Sequence, residues 1–589
     1  MAKKVLFFDI ETHSADELWN MSPEQFFRLG GYAWGTGGVR LTDDIEEMRE
    51  EIRQADLVIG HNIHAFDLTA LFGKNSLEPF HMALDGKVYD TWADAPIIEP
   101  YPDMFTDRHG RKRLISGPRQ AMSYYGLDEM ANRWGTSTKT QDLKALAKQF
   151  GGFDLIPLDN DDFRTYLIGD VKASRELATA MRTRVPWDEY RAREQRLYGI
   201  LAQCSRNGIV IDVDKAYARL EILNDRKNKH LALLHEKFGL PTEGKAPLRT
   251  KPGKEAVFAA LESVGIQRED LPKTKTGNPS LGGKEILATA EGRGDEAESL
   301  AQSLAAISGA RMTPETLLNN MHKDGKVHPG ITALQQTARF SFHDPGLTVI
   351  GARGDGANDK AILSAPEGFS LVEFDFQAAD SRAVAGYSGD ERFYDDYIAK
   401  DAHNATASLL WPSAEFVKGK HPRRQEAKVV THGTAYRMGA KKLAQSAGIT
   451  QQEAYTFLKK LSATYPRRAK WQEDVTEFAQ TKGYVVNDWG RKLAVNPDRA
   501  FTQGCATLGQ NATREMLVDL LLRLDRGVSR WLVGIIHDAV LFSFPEDKAV
   551  EYSKLVEEAA HDFNPRSGLR VPFPLEAGKP GRNWLEASH

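Results

Sequence analysis

Three apolar stretches of the chain each carry an acid where a fully buried strand tolerates one poorly: VLFFDIETH at 5–13, LVEFDF at 371–376 and GIIHDAVLF at 534–542. A carboxylate inside a β-rich segment is costly unless it is paired, hydrated or bound to a metal. The fold must therefore deliver all three stretches to cations, water or both. With 589 residues the chain is too long for one core and should form about three to five structural units. Its 41% hydrophobic and 27% charged residues are ordinary for a globular protein, which argues against the disordered and fibrous classes. There is no apolar run long enough to span a membrane, and Asp9 comes too early for a signal peptide, so a cytoplasmic protein with no membrane contact is expected. Cys204 and Cys505 are too few for a disulfide framework or a four-thiolate zinc site and read as small buried side chains. The net charge of −4 is compatible with a local basic cleft. The basic clusters at 108–113, 421–428 and 465–471 are each weak evidence for one.

From Lys4 to about residue 185, short apolar strands (VLFFDI, DLVIGHN) alternate with helical stretches such as DDFRTYLIGDVKASRELATAMR, which favours an α/β domain. Pro186 and Trp187 mark a boundary, after which AREQRLYGILAQCSRNGIVID opens a helical region by its three- and four-residue apolar spacing. Helix dominates to about residue 320, broken by the loop-like LPKTKTGNPSLGGK. Strand signals then flank a helical block from about 400 to 480.

In VLFFDIETH, Asp9 and Glu11 lie two apart and share one face of a strand. Two adjacent carboxylates repel unless cations sit between them, so a divalent metal is the natural partner. GHNIHAFD adds Asn62 and Asp67, and TYLIGDVKA adds Tyr166 and Asp170 at helical i, i+4 spacing. Four acids and a phenol suit two hard cations and an oriented water, the arrangement of phosphodiester cleavage. The ordered set Asp-x-Glu, Asn-x-x-x-Phe-Asp and Tyr-x-x-x-Asp resembles the three motifs of DEDD-type 3′–5′ exonucleases, in the subclass with Tyr in the third. The resemblance implies Asp9, Glu11, Asp67 and Asp170 as metal ligands and Tyr166 as the residue that orients the attacking water.

In LVEFDF, Asp375 alternates with Phe374 and Phe376 and projects from the face opposite those rings. Paired with Asp538 on an adjacent strand, it would suit metal-assisted phosphoryl chemistry. Between them, in RRQEAKVVTHGTAYRMG, Arg424, Lys428, His432 and Tyr436 recur every four residues and form one helix face. The cations suit phosphate oxygens and the aromatic suits a base. In this order TARFSFHDPGL, the Asp375 strand, the Arg424 helix, GYVVNDWGRKLAVNP and the His-Asp strand resemble family A DNA polymerases. The order of motifs, with no 5′ nuclease motif among them, resembles the shorter, phage-type replicative members, so a chain of that type is expected.

The resemblance implies an α/β and α+β multidomain chain. A ribonuclease H-like exonuclease domain (1–187) is followed by a right-hand polymerase (188–589) with thumb at about 190–330, palm at about 331–394 and 486–589, and fingers at about 395–485. It implies two-metal nucleotidyl transfer from dNTPs to a primer 3′-hydroxyl, with two Mg²⁺ per active site and Mn²⁺ as a substitute. Asp375 and Asp538 would be the metal ligands. Arg424, Lys428 and His403 would hold the triphosphate, with His432, Tyr436 and Asp380 around the nucleotide and Arg339, Gln510 and His537 on the DNA. The implied partners are primer-template DNA, dNTPs and a single-stranded 3′ end, acting on a monomer. The runner-up is an exonuclease whose C-terminal half grips DNA without synthesis. Several positions depart from the family. Asp380 replaces a glutamate that helps exclude the ribose 2′-hydroxyl, His432 replaces an aromatic beside the sugar, and Arg437 replaces a glycine. Ala539 replaces a glutamate, and Thr502 and Ala506 replace a minor-groove Arg and Asn. The last pair is consistent with a modified base such as 2-aminoadenine, which adds a minor-groove amino group.

Overall fold

In Val5–Thr12 (β1) alternate residues serve two cores. Leu6, Phe8 and Ile10 enter one apolar cluster with Val58 and Phe26, while Phe7 enters another with Leu167 and Val171. Asp9 and Glu11 follow Phe7 on that second face. The computed structural model describes residues 3–137, 143–244, 246–274, 277–309, 313–351, 354–412 and 421–588. β1 is the middle of a five-stranded sheet with Phe27–Trp34 (β2), Arg40–Thr42 (β3), Leu57–Gly60 (β4) and Val88–Asp90 (β5), in the order β3-β2-β1-β4-β5. β2 and β3 run antiparallel to their neighbours, and β4 and β5 run parallel to β1. All four residues of β4 are buried, as a parallel strand covered on both faces requires. Helices Asp67–Phe72 (α1) and Thr91–Ile98 (α2) follow β4 and β5, and the 24-residue helix Asp161–Arg184 (α3) packs across the sheet.

The chain forms two compact units: 1–210 with 322–349 and 364–589, and 211–321 with 350–363. This differs from the boundary expected at 187/188. Helix Glu189–Asn207 (α4), expected to open the thumb, belongs to the larger unit. The reason is a set of buried charges. Arg191 donates to Asp94 of α2, from Nε to Oδ1 at 2.9 Å, and both side chains are almost fully buried. Arg193 and Glu194 meet Glu515 and Arg514 of a later helix, at 2.6 and 2.7 Å. The smaller unit is helical. Val213–Phe238, Lys251–Ser263, Gly283–Ala290 and Asp295–Gly309 enclose Leu234, Leu261, Ile286 and Leu300, and Arg219 pairs with Asp355 and Asp359 at 2.8 Å each.

The second sheet of the larger unit comprises Phe369–Phe376 (β6), Leu532–Ile536 (β7), Ala539–Pro545 (β8) and Leu575–Ala577 (β9). All pairs are antiparallel, in the order β7-β8-β6-β9. GIIHDAVLF is therefore a hairpin and not one strand, with His537 and Asp538 as its turn. His537 adopts a left-handed φ of 59°, a conformation usual for glycine or asparagine in such turns. Beside this sheet stand helices Ala379–Ser388 (α5), Ala402–Leu410 (α6), Arg424–Ala435 (α7), Pro466–Lys482 (α8) and Ala500–Arg523 (α9). Both cysteines are buried and free. Among the described residues no helix is long and apolar enough to cross a membrane. Two of the basic clusters are largely engaged by protein partners. Arg111 and Arg113 pair with Asp107, and Arg108 pairs with Asp128. Arg468 is buried in α8, where its guanidinium donates to the Thr434 carbonyl, and Lys470 pairs with Asp474.

Candidate active sites

Phe7, Leu167 and Val171 share one core, so the β1 face carrying Asp9 and Glu11 looks onto α3 where that helix carries Asp170. Asp9, Glu11 and Asp170 each place one carboxylate oxygen within 4.8 Å of those of the other two. Tyr166, half-buried, stands one turn before Asp170 on the same helix. Asp67 begins α1, is 4% exposed, and lies outside this cluster of three. Burial first, then the neighbouring charge of Asp90, with Asp170 adding to it, pushes its pKa up to about 8. Asp9, Asn62, Asp67 and Asp170 line a cavity of about 450 Å³.

Sequence reasoning missed Asp90. Its buried carboxylate accepts from the backbone N–H of Asn62 (2.7 Å), His64 (3.1 Å) and Trp92 (2.9 Å). It thus caps α2 and pins the loop that presents Asp67, with Asn62 held at a φ of 65°. Burial lifts its pKa to about 6. The available signal was an aspartate directly before a helical stretch, an ordinary N-cap.

In the second site, β6 and β8 pair with Asp375 opposite Ala539, and the N–H of Phe376 donates to the carbonyl of Asp538 at 3.4 Å. The hairpin turn thus brings Asp538 beside Asp375. Phe374 and Phe376 are buried on the far face, with Asp375 partly exposed, as alternation requires. Burial raises the pKa of Asp538 and Arg339 opposes that rise.

Asp380, in the first turn of α5, gathers three residues that the sequence offered separately. Tyr436 donates its hydroxyl to Oδ1 at 2.6 Å, Arg339 Nη2 lies 3.6 Å from the same oxygen, and His432 Nδ1 lies 4.0 Å from Oδ2. Burial, then the Asp380 charge, raises the Tyr436 phenol well above its usual range. Tyr436 is not on the α7 face as expected; it follows the helix's last residue, Ala435, as its C-cap. Its ring lies against Gly509 of α9, where a Cβ would approach it to 2.5 Å, and the next residue is the half-buried Gln510.

Arg424 opens α7 and is held by Asp401 through Nε and Nη2, at 3.0 and 2.8 Å to Oδ2. Asp401 also caps α6 by accepting from the N–H of His403 and Asn404. The His403 and His432 rings are 5.8 Å apart. Burial, then the charges of Arg424, His432 and Lys428, pulls the His403 pKa down to about 4. Asp401 was missed too, although an aspartate before a helical stretch again marked it. Arg437 has a φ of 59°, a backbone conformation that glycine adopts without strain. Here the side chain braces the turn: Nη1 donates to the Gln472 carbonyl (3.0 Å) and to Thr476 Oγ1 (2.7 Å), and the guanidinium lies 4.2 Å over Phe501.

The fold matches a solved structure, the POL domain of Pol1 from M. smegmatis in complex with DNA primer-template and dNTP. The TM-score is 0.75 at 18% identity, covering 100% of this chain and 97% of that one. The sequence model of DNA polymerase family A matches residues 254–586, more than half of the chain, and the chain belongs to that family. Among its relatives, the thermostable DNA polymerase I of Thermus aquaticus is 27% identical over 440 residues, covering 68% of this chain and 48% of that protein. That of Thermus filiformis is 31% identical over 285 residues, covering 45% and 33%. The DNA polymerase of Mycobacterium phage D29 is 24% identical over 530 residues, covering 86% and 82%. The matches thus span about a third to a half of the Thermus proteins.

Proposed function

We propose that the chain is a template-directed DNA polymerase that also degrades DNA from the 3′ end. The observation that carries the reading is the pairing of Asp375 with the Asp538 turn, whose carboxylate feels the charges of Arg339 and of Asp380, the acid that His432 of α7 approaches at 4.0 Å, within a family A chain. The donor chemistry fits hard divalent ions: three clustered carboxylates at one site and an aspartate pair at the other, all oxygen donors. When bound, ions such as Mg²⁺ or Mn²⁺ neutralise phosphate charge and make a water or hydroxyl a better nucleophile at neutral pH. The chain's own residues do the rest. Arg424, Lys428, His403 and His432 present donors to a triphosphate, Tyr436 and Asp380 border the nucleotide, and Arg339, Gln510 and His537 meet primer-template DNA. At the other site Tyr166 orients water toward a single-stranded 3′ end. The mixed five-stranded sheet with α3 across it supports a ribonuclease H-like domain there, and the smaller helical unit supports a thumb.

The phage relative supports a role in phage genome replication in the host cytoplasm. Thr502, Ala506 and Gln510 fall at four-residue spacing on α9, and the two short side chains leave room for a 2-amino group in the minor groove. Insertion opposite thymine that favours adenine and 2-aminoadenine triphosphates equally counts against that adaptation. The main test is extension of a primed template with Mg²⁺. Asp538→Ala should abolish synthesis alone and Asp9→Ala should abolish 3′ degradation alone. Loss of both activities in either variant, or of neither, defeats the assignment.

A further inference from the structure

A cavity of about 340 Å³ in the larger unit shares no lining residue with the one beside Asp67 and contains none of the residues assigned above. Lys74, Arg206, Lys326 and Arg530 line it, and no acid is among the described lining residues. The bordering carboxylate is Asp324, which takes Lys74 at 2.6 Å and His328 at 3.0 Å. Arg206 is 2% exposed, and its guanidinium reaches neutral acceptors, Gln203 Oε1 at 2.9 and 3.2 Å and Thr69 Oγ1 at 3.4 Å. Lys326 Nζ donates to the Asn207 carbonyl at 2.9 Å. On β8 Ser543, 6% exposed, lines the same cavity, and its buried hydroxyl has no hydrogen-bond partner among the described residues.

A buried guanidinium facing neutral partners is destabilising, and fold stability alone gives no reason to keep one. Burial pulls the Arg206 pKa down to about 9, so it remains a cation at neutral pH. Its fork, the Lys326 point charge and an unsatisfied hydroxyl are the donors that phosphate oxygens take. Trp531 and Phe369, with ring centroids 5.4 Å apart, add an apolar wall, and the volume falls in the range of small-molecule sites.

We propose that this cavity binds a small phosphorylated molecule, with the phosphate among Arg206, Lys326 and Ser543. A nucleoside monophosphate and free phosphate share that chemistry. The test is calorimetry on the full chain in EDTA, with dAMP, inorganic phosphate and deoxyadenosine as probes. dAMP should bind, deoxyadenosine should not, and Lys326→Gln and Arg530→Gln should each weaken dAMP binding about tenfold. Asp9→Ala and Lys428→Gln, which damage the two sites described above, should leave it unchanged. Tighter binding of dAMP than of phosphate assigns a nucleotide, and equal binding assigns free phosphate. The proposal is overturned by deoxyadenosine binding as tightly as dAMP, by affinity indifferent to Lys326→Gln and Arg530→Gln, by loss in Lys428→Gln, or by no binding at millimolar probe. Arg206→Gln risks misfolding, so the partly exposed Lys326 carries the test, with melting curves confirming that each variant folds.

Discussion

The two carboxylate sites handle their charge differently. Around Asp9, Glu11 and Asp170 acids crowd other acids: Asp67 and Asp90 are buried, burial lifts the pKa values of both, and the charges of Asp90 and Asp170 raise that of Asp67 further. Around Asp375 and Asp538 the protein brings its own cations and donors, with Arg339 opposing the charge of Asp538 and Asp380 engaged by Tyr436, Arg339 and His432. The first site gathers carboxylates from one strand and one helix. The second holds its geometry largely by itself.

The largest effects should come from removing the carboxylates proposed to hold metal. Asp375→Asn should lower primer extension on the order of a hundred- to a thousandfold or more while sparing 3′ degradation, and Asp170→Asn should do the reverse. Paired extension and degradation assays read both. Next comes pH in EDTA. The pKa of Asp67 is about 8 in the folded chain against an ordinary 3.8, so folding favours its protonated form. The stability this contributes is full below 3.8 and is lost as pH rises through 8. Melting temperature should therefore fall from about pH 5 to about pH 8, and Asp67→Asn should flatten the slope. A wild-type slope that survives in the variant would assign the effect elsewhere. Asp380→Ala should destabilise the chain by about 1–3 kcal/mol, because Tyr436 loses its acceptor and Arg339 an ion-pair partner; denaturant unfolding measures it. The smallest change is expected for Arg437→Gly, within about 1 kcal/mol, since relief of the left-handed φ offsets the loss of the Gln472 and Thr476 contacts.

Much of this was legible in the sequence, and what was not has a physical cause. Alternation placed Asp9 and Glu11 on one face of β1 and set Asp375 against Phe374 and Phe376, because strand periodicity is local. The i, i+4 spacing put Tyr166 and Asp170 on one helix. The turn at His537 and Asp538 was hidden, since a left-handed histidine carries none of the glycine or asparagine signal that marks hairpins. Asp380 was readable as a departure from the family but not as a meeting point, because its partners at 339, 432 and 436 arrive from other segments through tertiary packing. Asp90 and Asp401 looked like ordinary caps, and they are caps; that each also fixes a functional neighbour depends on contacts no local pattern encodes.

The ion pair between Arg191 and Asp94 has a consequence for how this chain can be divided. A fragment begun at residue 188, where the sequence suggests a seam, would keep the guanidinium and discard its carboxylate. Stranding one partner of such a pair costs about 3–5 kcal/mol, a large share of the stability of an ordinary domain. A cut at that seam would thus leave an unbalanced buried charge in the larger, C-terminal piece.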